Sequence, residues 1–183
     1  MTLPWFEKGL RFGCKRCGAC CRRKGAFVWL TMSEAQEICD FLGMPDLNSF
    51  MLMFIDVVSS VGNEVTDSGK PPRLSIRKHA SGDCPFWSEA EECCAVYPAR
   101  PSQCESFPWW RRCLTDRAAW DKRAERCPGM NHGQWFSQKA IARRLMDAKL
   151  NGNGDELPAV GNHVVTKPRI VVTKNRTIGP SGP

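Results

Sequence analysis

The stretch that decides the fold is Cys14-Lys15-Arg16-Cys17-Gly18-Ala19-Cys20-Cys21, which places four thiols within eight residues. A hydrophobic core does not require so many thiols at this spacing. We therefore expect the stretch to form one arm of a metal site, and Gly18 allows backbone amides to turn toward thiolate sulfur. The remaining cysteines, some of which should close back on this arm, are Cys39, Cys84, Cys93, Cys94, Cys104, Cys113 and Cys127.

Length and cysteine content limit the class of protein. A chain of 183 residues fits one compact domain with a tail. Its eleven cysteines are an odd number, so a disulfide framework cannot use them all. The N-terminus lacks the pattern of a secretory signal, and no stretch approaches the roughly 20 apolar residues of a membrane span. We expect an intracellular protein, cytoplasmic or in an organelle matrix if a targeting segment was removed, where clustered thiols are usually metal ligands.

The positive charge of the chain is concentrated in two places. The formal net charge is +7. The first group surrounds the leading cysteines and comprises Arg11, Lys15, Arg16, Arg22, Arg23 and Lys24. The second lies in a tail without acids after Glu156 and comprises Lys167, Arg169, Lys174 and Arg176. The cations either compensate the charge of metal-bound thiolates or attract an anionic partner such as nucleic acid.

The sequence predicts a small, mostly helical domain over residues 1–150 that has short strands and long irregular cysteine-bearing loops and is stabilised by metal. Thr31 and Glu34 have the spacing of a capping box and open a helix that Gly43 ends. The other predicted helices begin after Asp46 and continue through Val58, cover residues 116–126 with Thr115 as N-cap, and follow Ser137 as far as Leu150. Short strands are predicted over residues 26–30 and 73–77.

Residues 151–183 differ in kind and are predicted to form a basic, extended tail or linker. The sequence Val164-Val-Thr-Lys-Pro-Arg169 nearly repeats as Val171-Val-Thr-Lys-Asn-Arg176. Such a segment cannot bury a core alone. It is either disordered or an arm that pairs with the parent domain or with a partner, such as a protein or ribonucleoprotein complex.

The cysteine spacing restricts the metal chemistry without selecting one metal. Adjacent side chains usually diverge, so Cys20 and Cys21 are not expected to serve one tetrahedral ion, which favours two metals or a polynuclear cluster. Eight cysteines suit two zinc ions or an iron–sulfur cluster, and the alternative is one four-cysteine site with the other thiols structural or catalytic. The triple Cys14, Cys17 and Cys20 matches the leading run of a bacterial ferredoxin, but the immediate Cys21 departs from that pattern.

Several motifs in order resemble the YkgJ-type cysteine-cluster family, described as a zinc- or iron-chelating domain. The resemblance covers most of the chain, from about Pro4 to about Leu150. The matching motifs are Cys14-x2-Cys17-x2-Cys20-Cys21, Cys84-Pro-Phe, Cys94-x-Val-Tyr97-x2-Arg100-Pro101-x2-Cys104-x2-Phe107-Pro108 and Cys127-Pro128-Gly129.

The resemblance implies a set of metal ligands. These are Cys14, Cys17, Cys20, Cys21, Cys84, Cys94, Cys104 and Cys127. Cys93 stands where relatives often have glycine, and Cys39 and Cys113 lie outside the pattern, so we interpret these three as structural thiols. Arg100 is expected to fix the ligand loop through hydrogen bonds to carbonyls or to an acid near the cluster.

The sequence supports two hypotheses for function. In the first, the metals are mainly structural and the domain is an interaction module or accessory subunit of a larger complex. In the second, an iron–sulfur enzyme modifies protein side chains, because some relatives resemble flagellin lysine N-methylase, or it has another redox activity. No Gly-rich methyl-donor loop and no acid–base constellation is visible, so the substrate and catalytic residues stay unknown.

Overall fold

Short strands and helices alternate along the chain. The structure is a computed structural model that describes residues 4–60, 72–150 and 163–166. The strands are β1 (Leu10–Phe12), β2 (Trp29–Leu30), β3 (Ile55–Ser60), β4 (Arg73–Ile76), β5 (Trp87–Ser88), β6 (Cys93–Cys94), β7 (Gln134–Phe136) and β8 (His163–Thr166). The helices are α1 (Met32–Phe41), α2 (Leu47–Phe54), α3 (Ser102–Ser106), α4 (Arg111–Leu114), α5 (Arg117–Ala124) and α6 (Gln138–Leu150), with a 3-10 turn at Tyr97–Ala99.

The main sheet has the order β2-β4-β3-β8, and all its neighbouring strands are antiparallel. Two-stranded ladders, β1 with β7 and β5 with β6, lie outside it. The expected small domain of helices with short strands is confirmed in outline, and the fold is mixed α/β. No helix in the described part of the chain has both the length and the apolar character needed to cross a bilayer.

The first helix follows its predicted start. The Thr31 side chain accepts a hydrogen bond from the Glu34 amide, and a Glu34 carboxylate oxygen accepts one from the Thr31 amide at 2.7 Å. The other Glu34 oxygen accepts from the Ser102 amide at 2.7 Å. Glu34 thus stabilises the start of α1 and also holds α1 against the start of α3.

The second helix ends earlier than predicted. The helix does not continue to Val58, because α2 stops at Phe54 and the β-branched run from Ile55 forms β3. Arg77 stabilises this change of direction by donating to the carbonyls of Leu52 and Met53 at 2.7 and 3.0 Å. Its Nε also donates to Asp56 at 2.7 Å. One guanidinium therefore satisfies carbonyl groups that the helix end leaves without partners.

The later helices start close to where the sequence predicts them. Thr115 is not the N-cap of α5, because the Asp116 carboxylate accepts the hydrogen bond from the Ala119 amide at 2.7 Å. Ser137 precedes α6 as predicted, and its hydroxyl accepts from the Ala140 amide at 3.3 Å.

The interior is divided into two main hydrophobic clusters. The first lies between the main sheet and helices α1 and α2, and its fully buried members include Ile38, Phe50 and Ile55. The second is half aromatic among its buried members and is built around Trp109 and Trp120, whose ring centroids are 6.0 Å apart. These two clusters are called the sheet core and the aromatic core below.

One part of the predicted tail lies in the described residues. The strand β8 pairs with β3, with Val57 opposite Thr166 and Val58 opposite Val165. This pairing corresponds to the alternative in which the arm joins its parent domain. The rest of residues 151–183, including the second copy of the repeat, lies outside the described residues.

We predict that Glu34→Gln lowers the free energy of unfolding by about 1–2 kcal/mol at neutral pH, because the capping box and the contact with Ser102 are weakened. Burial acts to raise the pKa of Glu34, but hydrogen bonds from Ser102 and Thr31 prevail and lower it. Stability linked to a lowered carboxyl pKa is present above the unfolded value of about 4.3 and is lost as pH falls through the folded value.

Urea denaturation of wild type and Glu34→Gln, at neutral pH and below the ordinary carboxyl pKa, tests this prediction. Glu37→Gln is the matched control, because Glu37 is an exposed carboxylate on the same helix. The difference between wild type and Glu34→Gln should shrink in acid. An equal loss of stability in both variants would contradict the assigned role of Glu34.

Candidate metal centre

The N-terminal cysteine segment is held at its start against the loop that carries Cys127. Strand β1 pairs with β7, and the Gly13 amide donates to the Gly129 carbonyl at 3.0 Å. A Cβ atom on Gly133 would lie 2.8 Å from the Gly13 Cα, so these backbones meet at a distance that only glycine permits. Cys14 therefore begins beside the loop of Cys127.

The other end of this segment is held beside the second half of the centre. The Cys84 amide donates to the Cys21 carbonyl at 2.9 Å. Lys78 Nζ donates to the same carbonyl at 3.1 Å and to the Arg23 carbonyl at 3.0 Å. The segments that carry Cys21, Lys78 and Cys84 thus meet at the Cys21 carbonyl.

Strands β5 and β6 and helix α3 carry the next two candidate ligands. Cys94 lies opposite Trp87 in the β5–β6 ladder. Cys104 lies on α3, whose buried Gln103 accepts from the Trp29 amide at 2.6 Å and donates to the Phe27 carbonyl at 3.1 Å. Gln103 therefore fixes the helix of Cys104 against β2.

Five of the other seven predicted ligand cysteines interact with Cys20, and one of them is the adjacent Cys21. Cys20 lies within electrostatic range of Cys84, Cys94, Cys104 and Cys127. Cys127 is also within range of Cys17, and Cys21 interacts with Cys84 and Cys94. For Cys14 the contacts are local: its Sγ lies 3.4 Å from the Arg16 amide nitrogen. Thiols from four parts of the chain are thus gathered in one region.

Cys20 and Cys21 do not diverge as expected. Their Sγ atoms lie 3.9 Å apart. Two thiolates on one tetrahedral zinc ion are separated by about 3.8 Å when Zn–S is about 2.3 Å. The local backbone therefore permits the two side chains to approach as closely as ligands of one ion, and the expectation of divergence is wrong.

The thiols differ in how readily they lose a proton. The hydrogen bond with Cys21 lowers the pKa of Cys20 to about 6, and the same contact raises the pKa of Cys21. Burial raises the pKa of Cys84 to about 11 and also raises that of Cys94 and Cys104. Since metals bind thiolates, these groups would release protons on binding.

Some of these side chains are both exposed and desolvated. Cys104 is exposed to solvent, although desolvation raises the pKa of its thiol. Cys20 is also exposed while it interacts with buried Cys84. As the side chains stand, no three Cys, His, Asp or Glu groups in the described residues form a site that could hold a metal ion.

Two cations and a tyrosine border the thiols. Lys78 acts electrostatically on Cys20 and Cys84, and Arg100 acts on Cys94 and Cys104. Arg100 donates to the Tyr97 carbonyl at 2.6 Å, and its Nη2 lies 3.4 Å from a Glu105 carboxylate oxygen.

The ring of Tyr97 joins two cysteine-bearing segments. The guanidinium carbon of Arg100 lies 4.0 Å from the ring centroid, and that of Arg16 lies 4.2 Å from it. Arg16 stands between Cys14 and Cys17, and Arg100 stands between Cys94 and Cys104. These cation–π contacts therefore connect the first cysteine segment with the second.

The three cysteines outside the predicted ligand set lie in the hydrophobic interior or beside an acid. Cys39 is buried in the sheet core, and Cys113 is fully buried beside Trp110. The Cys93 thiol donates to Glu91 at 3.7 Å. Because Cys93 and Cys94 are successive residues of a strand, their side chains point to opposite faces.

The chain was compared with known families and solved structures. The model of the CxxCxxCC family, described as a "putative zinc- or iron-chelating domain", matches residues 13–128. This chain belongs to the CxxCxxCC family. The match spans more than half of the chain and includes all eight predicted ligand cysteines. No solved structure matches the chain.

Trp87 provides a test of whether the site suits a bound metal. Its Nε1 is buried and has no hydrogen-bond partner. An indole N–H can only donate, and leaving it buried without an acceptor costs about 1–3 kcal/mol. The ring packs against Gly18 and lies opposite Cys94, between two cysteine segments. A metal-bound thiolate accepts hydrogen bonds. Zinc or iron with thiolate ligands between these two segments would therefore suit the unpaired N–H of Trp87.

Sequence reasoning did not assign roles to Trp87, Lys78, Gln103 or Tyr97. Trp87 and Tyr97 lie three residues after Cys84 and Cys94, which is a weak signal. Gln103 is a polar residue whose burial depends on β2, far away in sequence. Lys78 follows a predicted strand and has no local pattern that marks it.

We predict that Gly18→Ala destabilises the protein more than Gly25→Ala. Both glycines have a positive φ, of 71° and 66°, and an alanine there costs about 1–2 kcal/mol. A Cβ on Gly18 would also come within 2.6 Å of three ring carbons of Trp87, whereas a Cβ on Gly25 meets nothing within 4 Å. Displacing the ring should add about 1–3 kcal/mol.

Thermal melting and metal analysis of the two variants check this prediction. Gly25→Ala should keep its bound metal, because the open space around it requires no movement of the cysteines. Equal melting temperatures and equal metal contents in the two variants would show that Trp87 does not support the cysteine segment.

Proposed function

We propose that this protein holds zinc or iron through Cys14, Cys17, Cys20, Cys21, Cys84, Cys94, Cys104 and Cys127, and that the metal is mainly structural. The observation that carries the proposal is the convergence on Cys20 of thiols from the hairpin region of residues 84–94, from α3 and from the loop at Cys127. The family description agrees with zinc or iron as the metal.

The position of the thiols between the two cores supports a structural role. Cys84 belongs to the sheet core, and Cys21 and Cys94 pack against it. Cys127 packs against the aromatic core. A metal held by these cysteines would connect the two hydrophobic clusters covalently, as a disulfide would, but with more than two attachment points.

Eight thiolates supply two complete sets of four, which suits two zinc ions or an iron–sulfur cluster. A site closed by four cysteines leaves no open position for a substrate, which is typical of structural zinc. Lys78 and Arg100 would offset part of the thiolate charge, and the Trp87 N–H would donate to a ligand sulfur.

The same proposal assigns the protein to a larger assembly as an interaction module or accessory subunit. The feature that supports this role is the basic composition after β8, where Lys167, Arg169, Lys174 and Arg176 occur without an acid. Such a segment is suited to an acidic surface of a protein or ribonucleoprotein partner. Its interaction would weaken as the salt concentration rises.

We predict that Cys94→Ser lowers the metal content and the melting temperature, whereas Cys93→Ser changes neither. The two residues are neighbours on β6 with opposite side-chain directions, so the pair separates loss of a ligand from loss of a thiol. Metal analysis and thermal melting of protein purified without oxygen provide the measurement. Full metal content in Cys94→Ser would remove Cys94 from the ligand set.

We also predict that a strong chelator under reducing conditions unfolds the protein or lowers its melting temperature. Structural zinc contributes on the order of 10 kcal/mol to folding in peptide models, which is comparable with the whole stability of a domain. Circular dichroism before and after chelation checks this. An unchanged melt after complete removal of metal would show that the metal is not structural.

A further inference from the structure

Four arginines near α4 and α5 form a second concentration of charge, distinct from the thiols. The members of this arginine cluster are Arg23, Arg112, Arg123 and Arg126. Arg23 lies within electrostatic range of Arg123 and Arg126, and Arg112 lies within range of Arg23 and Arg123. Like charges near one another repel, so a bound anion would stabilise the cluster.

Arg112 is the most constrained member of the cluster. Its Nε is buried and has no hydrogen-bond partner. Its guanidinium carbon lies 4.4 Å from the ring centroid of Trp110, which fixes the plane of the group. The Arg112 side chain also hydrogen-bonds to Cys113, and its unpaired Nε favours an oxyanion as a further partner.

Acidic side chains do not neutralise the cluster. The ion pairs among the described residues are Arg77–Asp56, Arg100–Glu105 and Arg117–Asp121, and none includes a cluster member. On the neighbouring α5, Asp116 is occupied as the N-cap and Asp121 by its ion pair.

The cysteine inside the cluster does not supply the missing charge either. Cys113 is fully buried and lies within range of Arg23, Arg112 and Arg123. Burial raises the pKa of its thiol despite the nearby arginines, so the thiol is neutral near neutral pH. The cluster therefore retains its positive charge.

We propose that Arg23, Arg112, Arg123 and Arg126 form a binding site for a phosphate group. The planar fork of arginine matches the oxygen spacing of phosphate, and several forks from different segments can surround one group. Arg23, Arg112 and Arg123 are half-buried and Arg126 is exposed, so the site is open on one side. The phosphate can come from a free or small-molecule phosphate or from a nucleic acid backbone.

This site does not depend on the proposed metal function. The cations that act on the thiol centre are Lys78 and Arg100, whereas the arginine cluster surrounds Cys113, which is outside the predicted ligand set. Arg23 lies two residues after Cys21, and Arg126 directly precedes Cys127, so an anion bound here would lie beside the metal centre without supplying a ligand to it.

Isothermal titration of the full-length, metal-loaded protein with inorganic phosphate tests the proposal, with a parallel titration using a short single-stranded oligonucleotide. We expect Arg112→Gln and Arg126→Gln each to weaken binding about tenfold or more, which corresponds to about 1.4 kcal/mol per decade. Lys122→Gln is the matched control, because Lys122 is an exposed cation on α5 next to Arg123, and it should bind like wild type. If Arg112→Gln does not fold, Arg126→Gln still tests the proposal, because Arg126 is exposed.

The outcomes distinguish the sources of the phosphate. Binding of inorganic phosphate that Arg126→Gln weakens supports a free or small-molecule ligand, and binding of the oligonucleotide alone supports a nucleic acid backbone. Absence of binding by the wild type to either ligand overturns the proposal. An equal loss of affinity in Lys122→Gln and Arg126→Gln also overturns it, since general charge would then explain the binding.

Discussion

The fold depends on backbone contacts that bring cysteine-bearing segments from distant parts of the chain next to one another. Backbone contacts bring them together at both ends of the first cysteine segment, through Gly13 with Gly129 and through Cys21 with Cys84. These hydrogen bonds position the side chains but contribute little net stability, about 1 kcal/mol each. Under the proposed function, a metal bound by these thiols would supply the larger share of the stability at this place. A metal bound by cysteines from both sides would join the sheet core to the aromatic core.

The local parts of the fold could be predicted from the sequence because their causes are local. The capping box of Thr31 and Glu34 and the burial of Cys39 follow from patterns within one helix. The end of α2 could not be found in this way, because it depends on pairing of β3 with β4 and on hydrogen bonds from Arg77, more than twenty residues away.

The candidate site shows the same division. The cysteine motifs identify the family and nominate the ligands, since metal chemistry demands particular residue types at particular spacings. The supporting residues Trp87, Gln103 and Lys78 act through contacts that form only after folding. The arginine cluster could not be predicted from the sequence for the same reason, because Arg23 lies about a hundred residues before the other members and meets them only in the folded chain.

X-ray absorption at the metal edge, on protein purified without oxygen, tests the central claim most directly, because it reports the atoms bound to the metal. The account predicts a first shell of sulfur alone, about four per metal, at about 2.3 Å for zinc. A first shell made mainly of oxygen or nitrogen would contradict it. The metal would then lie away from the gathered cysteines, and their convergence would need another cause.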